Sequence, residues 1–74
     1  MRKANVITRD GRPASFLWKR QKMSISEIAD QWKEMGRWWD GETAREFFLV
    51  VTVSGPFLLS RECCKDEWYA KAVQ

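Results

Sequence analysis

The sequence contains no histidine, the commonest general base of enzymes and the commonest metal ligand in proteins. It has only two cysteines, Cys63 and Cys64, and direct neighbours form a disulfide only with strain. It also lacks the spaced second cysteine pair of a structural zinc site and any Gly-rich phosphate-binding loop. These absences argue against the usual arrangements for catalysis, metal binding and nucleotide binding. We therefore expect a non-catalytic protein that has no cofactor and no small-molecule substrate.

Long apolar runs are missing as well. No run approaches the length of about 18 residues that suggests a transmembrane helix. The basic start of the chain is not followed by the apolar segment of a signal peptide, and the cysteines do not form the framework of a small secreted protein. We therefore expect a cytoplasmic protein without a membrane partner. Its 74 residues predict a single small domain spanning 1–74.

Basic residues are concentrated in the first third of the chain. Residues 1–22 contain seven Lys or Arg and one acid, whereas residues 23–50 contain three bases and six acids. A basic segment of this kind suits an acidic partner such as the phosphate backbone of DNA or RNA. It equally suits a solvated surface that keeps a Trp-rich domain soluble.

The strongest strand signal lies at 47–53, where every residue is β-branched, aromatic or Leu. Turn residues, including Asp10-Gly11 and Ser54-Gly55-Pro56, divide the rest into short strand-like runs. The predicted strands lie near 5–9, 14–19, 45–53, 57–63 and 67–73. The fold is therefore predicted to be mainly β, as a small antiparallel sheet or partly open barrel of about five strands.

The predicted core is formed by large apolar residues from these runs. In the central strand the prediction places the odd-numbered residues inside. The core residues are Phe16, Trp18, Ile28, Trp32, Phe47, Leu49, Val51, Leu59 and Trp68.

Residues 23–35 fit two structures. Their apolar spacing suits an amphipathic helix, with Ser24 and Glu27 forming a capping box. They also contain two alternating runs that are out of phase by one residue, as a β-bulge near Ser26 would cause. We favour the bulged strand because short polar links join this stretch to a strand at each end. The alternative is an α+β fold with one helix near 24–35.

The remaining functional candidate is a surface of aromatic and basic side chains. Such surfaces bind single-stranded nucleic acid by stacking and phosphate contacts, and the same residue types form protein–protein hot spots. The candidate residues for binding nucleic acid or a partner are Arg12, Lys19, Arg20, Lys22, Arg37, Trp38, Trp39 and Arg45.

The order of several residues resembles a small bacterial domain of unknown function that occurs alone. The matching residues are Gly11, Pro13, Phe16, Trp18, Ile28, Asp30, Trp32, Trp38, Trp39, Gly41, Glu42, Arg45, Phe47, Phe48, Gly55, Leu59, Arg61, Trp68 and Tyr69. A related domain is similar to the C-terminal domain of some mutasome-type Y-family DNA polymerase-like proteins. The resemblance implies an accessory module near DNA repair or translesion synthesis, and it supplies no catalytic residue.

Two functions therefore remain open at the level of sequence. The first is weak, sequence-independent binding of a DNA or RNA backbone. The alternative is a protein–protein interaction module that docks onto a polymerase-like partner or onto itself, which makes the protein a monomer or a weak homodimer.

Overall fold

The computed structural model of the protein describes residues 2–35, 44–62 and 67–73. Within these ranges every regular element is a β-strand. In chain order the strands are β1 (Arg2–Ala4), β2 (Val6–Arg9), β3 (Arg12–Trp18), β4 (Gln21–Glu34), β5 (Arg45–Thr52), β6 (Gly55–Glu62) and β7 (Trp68–Ala72).

The strands form one antiparallel sheet in the order β1-β7-β6-β5-β4-β3-β2. The two outermost strands, β1 and β2, are separated in the chain only by Asn5. The sheet must therefore curl until its two edges approach, and the Leu17 amide donates a hydrogen bond to the Asn5 carbonyl at 2.9 Å. This confirms the prediction of a mainly β, partly open barrel. The described residues form seven strands rather than about five, partly because the run predicted at 5–9 begins earlier, at Arg2, and is divided at Asn5 into β1 and β2.

Strand β4 connects the two parts of the sheet and contains the predicted bulge. Its first residues pair with β3, and from Ile25 onward it pairs with β5. The register shifts between Ile25 and Glu27, so that Ser26 has no opposite residue. Its hydroxyl instead donates a hydrogen bond to the Val51 carbonyl at 2.9 Å. The bulged-strand prediction is confirmed, and a second shift at Ala29 was not predicted.

The core lies on the inner, concave face of this sheet. The buried apolar residues are Ala4, Phe16, Met23, Phe48, Val50, Phe57, Leu59, Trp68 and Ala70. Aromatic rings contact one another edge-on or tilted at its centre. The ring centroids of Phe16 and Trp18 lie 5.1 Å and 5.3 Å from that of Phe57, and the centroid of Phe48 lies 5.6 Å from that of Trp68. The predicted core residues Phe16, Leu59 and Trp68 are buried, and Trp18 and Ile28 pack against the core.

The predicted face of the central strand was wrong. Phe48 and Val50 are fully buried, whereas Phe47, Leu49 and Val51 lie on the outer face and are half-buried. Both faces of β5 carry apolar side chains, so alternation could not choose between them. Trp32, also predicted as core, is 38% exposed because its register partner is the outward-facing Phe47.

The described residues include no helix with the length and apolar character needed to span a membrane.

Candidate functional site

The β3–β4 hairpin ends in a strained basic turn. Trp18 pairs with Gln21, so that Lys19 and Arg20 alone form the loop. Both have positive φ, 48° for Lys19 and 67° for Arg20. This is the left-handed backbone of a type I′ turn, which favours Asn and Gly because other side chains are strained there. Two bulky cations therefore stand where the hairpin alone would favour other residues.

An indole ring lies directly beneath this turn. The Lys19 ammonium is 5.9 Å from the centroid of the Trp18 ring, within the range of a cation–π contact. Trp18 is half-buried, and its neighbour Leu17 is 46% exposed and pairs with Lys22. Three cations and two partly accessible apolar side chains therefore share this end of the hairpin, which we call the β3–β4 tip (residues 17–22).

The β2–β3 hairpin has a basic tip of its own. Asp10 and Gly11 form its two-residue turn with φ values of 54° and 79°, as the Asp-Gly pair predicts. On either side of the turn, Arg9 lies directly opposite Arg12, and both are exposed. Like charges directly opposite each other destabilise a sheet. We call residues 9–12 the β2–β3 tip.

None of the seven bases in residues 2–22 forms an ion pair with an acid of the described residues, and all seven are exposed. In the other part of the sheet the two described arginines are paired, whereas Lys33 and Lys71 are exposed and have no ion pair with a described acid. Arg61 lies 2.7 Å from Glu46, and Arg45 lies 3.4 Å from Glu62. Unpaired cations of the described residues are therefore concentrated in the first three strands and the start of β4, where there are seven, against two in the rest of the sheet.

The structure divides the predicted binding residues among several places. Lys19, Arg20 and Lys22 lie together at the β3–β4 tip. Arg12 is at the opposite end of β3, about 20 Å away for a seven-residue strand. Arg45 pairs with Glu34 near the far end of β4 and has its own acid partner. The predicted residues Arg37, Trp38 and Trp39 lie outside the described residues.

Comparison with known families gives one result for nearly the whole chain. The profile of a family described as a domain of unknown function, DUF6504, matches residues 2–69. The chain belongs to the DUF6504 family. No significant match was found among curated proteins or solved structures.

The match includes both basic tips of this DUF6504 domain and a charged row on its inner face. In this row Lys33, Glu46, Arg61 and Trp68 lie opposite one another on four successive strands. The Arg61 guanidinium bonds to Glu46 at 2.7 Å and lies 4.9 Å from the centroid of the Trp68 ring. Arg61 is half-buried between the Trp68 ring and the Glu46 carboxylate. These two contacts hold the Arg61 side chain at the end of the core.

A cleft of about 360 Å³ opens beside this row, where strands β1 and β2 meet. Its lining residues are Ala4, Asn5, Val6, Thr8, Arg61 and Trp68. Among the described residues that line it, only Arg61 is charged, and its guanidinium is paired with Glu46. Because this cation of the DUF6504 domain already has an acid partner, we assign Arg61 a structural role.

The described residues also provide no cluster of three or more His, Cys, Asp or Glu that could hold a metal ion. The functional candidates of this DUF6504 domain are thus its two basic tips. Sequence reasoning missed Arg9 as a member of this set. The two-residue turn at Asp10-Gly11 was the available signal, since such a turn places its flanking residues directly opposite each other.

Proposed function

We propose that this domain is a non-catalytic accessory module that binds the phosphate backbone of nucleic acid weakly and without sequence preference. The observation that carries the proposal is the pair of basic tips at the two ends of β3. Each presents at least two exposed cations that have no acid partner among the described residues. Lys and Arg in this state can release counterions from a phosphate backbone, which is the main source of non-specific affinity.

The unfavourable features of the tips support the same proposal. Positive φ at Lys19 and Arg20 and the like-charge pair Arg9–Arg12 both cost stability. Strained positions of this kind cluster at functional sites. Selection for stability alone would favour Asn-Gly in the turn at Lys19 and Arg20, and opposite charges at positions 9 and 12.

The spacing of the tips fits an extended polyanion. The length of β3, about 20 Å, corresponds to roughly six phosphates of one strand of a duplex, at about 3.4 Å of helix axis per charge. A backbone that follows β3 would reach both tips at once. A duplex of about four base pairs would reach one tip only, so affinity should rise steeply as the duplex lengthens beyond about six base pairs.

The resemblance to a domain of mutasome-type polymerase-like proteins supports a place beside DNA repair or translesion synthesis. Weak backbone contact without sequence preference suits a module that accompanies an enzyme along DNA. The cytoplasm is the location consistent with this role.

Fluorescence anisotropy with labelled oligonucleotides tests the proposal. A single strand of about 12 nucleotides should bind, and log K should fall linearly with log salt, with a slope of about −0.7 for each phosphate contact. Lys19→Gln should flatten that slope by about 0.7 and the double change of Lys19 and Arg20 to Gln by about 1.4. A matched control is Lys33→Gln, which also removes one exposed lysine without an acid partner and should leave the slope unchanged.

Two outcomes would contradict the proposal. The first is an absence of binding to both single strand and duplex at low salt. The second is an equal effect of Lys19→Gln and Lys33→Gln, because net charge rather than the tip would then account for the affinity.

A further inference from the structure

The strands β2 and β3 and the start of β4 form a small sheet whose outer side we call the basic face. On β3 and β4 the core residues Phe16 and Met23 lie opposite each other and point inward. On β2, Val6 and Thr8 line the cleft and also point inward. Because side chains alternate between the faces of a strand, the residues that flank these four, with their register partners, point outward. The basic face therefore consists of Ile7, Arg9, Arg12, Ser15, Leu17, Lys22 and Ser24.

The basic face is open to solvent. Six of its seven side chains are exposed, including Ile7 at 59% and Leu17 at 46%. The seventh, Ser15, is buried, but the residues opposite it on both neighbouring strands, Ile7 and Ser24, are exposed. The sheet curls across its strands, whereas the basic face extends along β3. The curl therefore does not turn the two ends of the face away from each other.

Cations lie at both ends of the basic face, and none of its seven residues is an acid. Arg9 and Arg12 lie opposite each other at one end, and Lys22 lies opposite Leu17 at the other. Arg12 and Leu17 are separated along β3 by about 16 Å. The basic face therefore complements a straight row of negative charges of about that length.

We infer that the basic face binds a DNA duplex in preference to a single strand, an inference that rests on the proposed binding of nucleic acid. A duplex has a persistence length of about 50 nm, so it is straight over the length of the face. Each of its strands places a phosphate at about every 3.4 Å of helix axis, or about five along the face. A single strand would first have to be ordered into such a row, and that ordering costs affinity.

The basic face also lacks the aromatic side chains on which single-strand binders stack bases. None of its seven residues is aromatic. The rings nearest to it in the chain, Phe16 and Trp18, lie on the opposite side of β3, where both pack edge-on against Phe57. The hydroxyl of Ser24 can donate a hydrogen bond to a phosphate, which carries no base information. The face therefore suits the charge and shape of a duplex backbone and has no ring on which an unpaired base could stack.

Fluorescence anisotropy with a 12-base-pair DNA duplex and with one of its own strands, at the same salt concentration, tests the inference. The duplex should bind roughly tenfold more tightly. Ser24→Lys adds a cation in the middle of the basic face and should steepen the salt slope on the duplex by about 0.9. The matched control is Gln31→Lys, which adds the same charge to an exposed position of β4 about 23 Å farther along the strand and should leave the slope unchanged.

The melting temperature of each variant reports whether it is folded. Binding of the single strand as tight as binding of the duplex would overturn the inference and leave the proposed function in place. Failure of both nucleic acids to bind at low salt would overturn the proposed function and the inference together. Equal slopes for folded Ser24→Lys and Gln31→Lys would also overturn the inference, because net charge would then account for binding.

A second probe distinguishes the duplex from an anionic membrane surface. Exposed Ile7 and Leu17 beside cations would also suit lipid headgroups. Vesicles of phosphatidylcholine and phosphatidylserine should therefore be tested in the presence of excess duplex. We expect the duplex to keep the protein off the vesicles. Vesicles that retain the protein under these conditions would overturn the inference.

Discussion

The β2–β3 and β5–β6 hairpins are both closed by short turns, yet they place charge in opposite ways. In β2–β3, Arg9 faces Arg12 beside the turn and neither meets an acid among the described residues. In β5–β6, Glu46 faces Arg61 and the two bond at 2.7 Å. An arginine is therefore paired or unpaired according to the residue that the register places opposite it on the neighbouring strand.

The two hairpins also differ in their share of the core. The β5–β6 hairpin supplies four buried apolar residues, Phe48, Val50, Phe57 and Leu59, whereas the described part of β2–β3 supplies two, Pro13 and Phe16. One hairpin therefore combines burial with paired charge, as a stabilising element would. The other supplies fewer buried apolar residues and has unpaired charge, which suits contact with something outside the domain.

The largest effect that this comparison predicts concerns the two phenylalanines at the centre of β5. Phe48→Ala removes a fully buried ring and should lower the free energy of unfolding by about 3–5 kcal/mol. Phe47→Ala removes a half-buried ring stacked on Trp32 and should cost about 1–2 kcal/mol. Urea unfolding followed by tryptophan fluorescence, at low protein concentration, measures both. Equal losses, or a larger loss for Phe47→Ala, would mean that the faces of β5 are assigned incorrectly.

Much of the fold could be predicted from local signals. Turn residues such as Asp10-Gly11 located the hairpins, and the phase shift near Ser26 located the bulge. The burial of β5 could not be predicted, because Phe47 and Phe48 begin two equally apolar faces. Only the pairing of Phe48 with Leu59 and of Val50 with Phe57 decides which face meets the core, and register across strands is not a local property.

The candidate site was predictable in composition but not in arrangement. The excess of bases in residues 1–22 is visible in the sequence, and their exposure agrees with the charge pattern. That Arg12 lies a full strand length from Lys19 follows only once Arg12–Trp18 is known to be one continuous strand. The predicted site residue Arg45 has a cross-strand acid, Glu62, 17 positions away in sequence. Residue type alone therefore could not separate paired from unpaired cations.

The paired hairpin provides the next largest predicted effect. Glu46→Gln leaves the half-buried Arg61 guanidinium without its carboxylate and should lower the free energy of unfolding by about 1–3 kcal/mol. Arg45→Gln breaks a longer pair whose arginine side chain is 57% exposed and should cost less than about 1 kcal/mol. The same urea titration compares the two. If Arg45→Gln proves the more costly, the row at Arg61 does not anchor this end of the core as inferred above.

The smallest predicted effect is a gain of stability at the β3–β4 tip. Replacing Lys19 by Asn and Arg20 by Gly gives the turn the residues that a type I′ backbone favours. Relief of two strained left-handed residues is offset in part by the greater freedom of glycine in the unfolded chain. The free energy of unfolding should therefore rise by about 1 kcal/mol. Asp10→Asn is the matched control. Because the Asp10-Gly11 turn already has favourable residues, this change should alter the free energy of unfolding by only a few tenths of a kcal/mol.

The same double variant should weaken binding to a 12-nucleotide single strand, because it removes two phosphate contacts, each worth about 0.7 in the salt slope. A gain in stability together with a loss of binding would show that strain at Lys19 and Arg20 is retained for contact with an anion. A loss of stability would instead mean that the contact of Lys19 with the Trp18 ring, at 5.9 Å, outweighs the backbone strain. The Lys19–Arg20 turn would then stabilise the fold, as the β5–β6 hairpin does. The contrast between the two parts of the sheet would no longer extend to the β3–β4 tip.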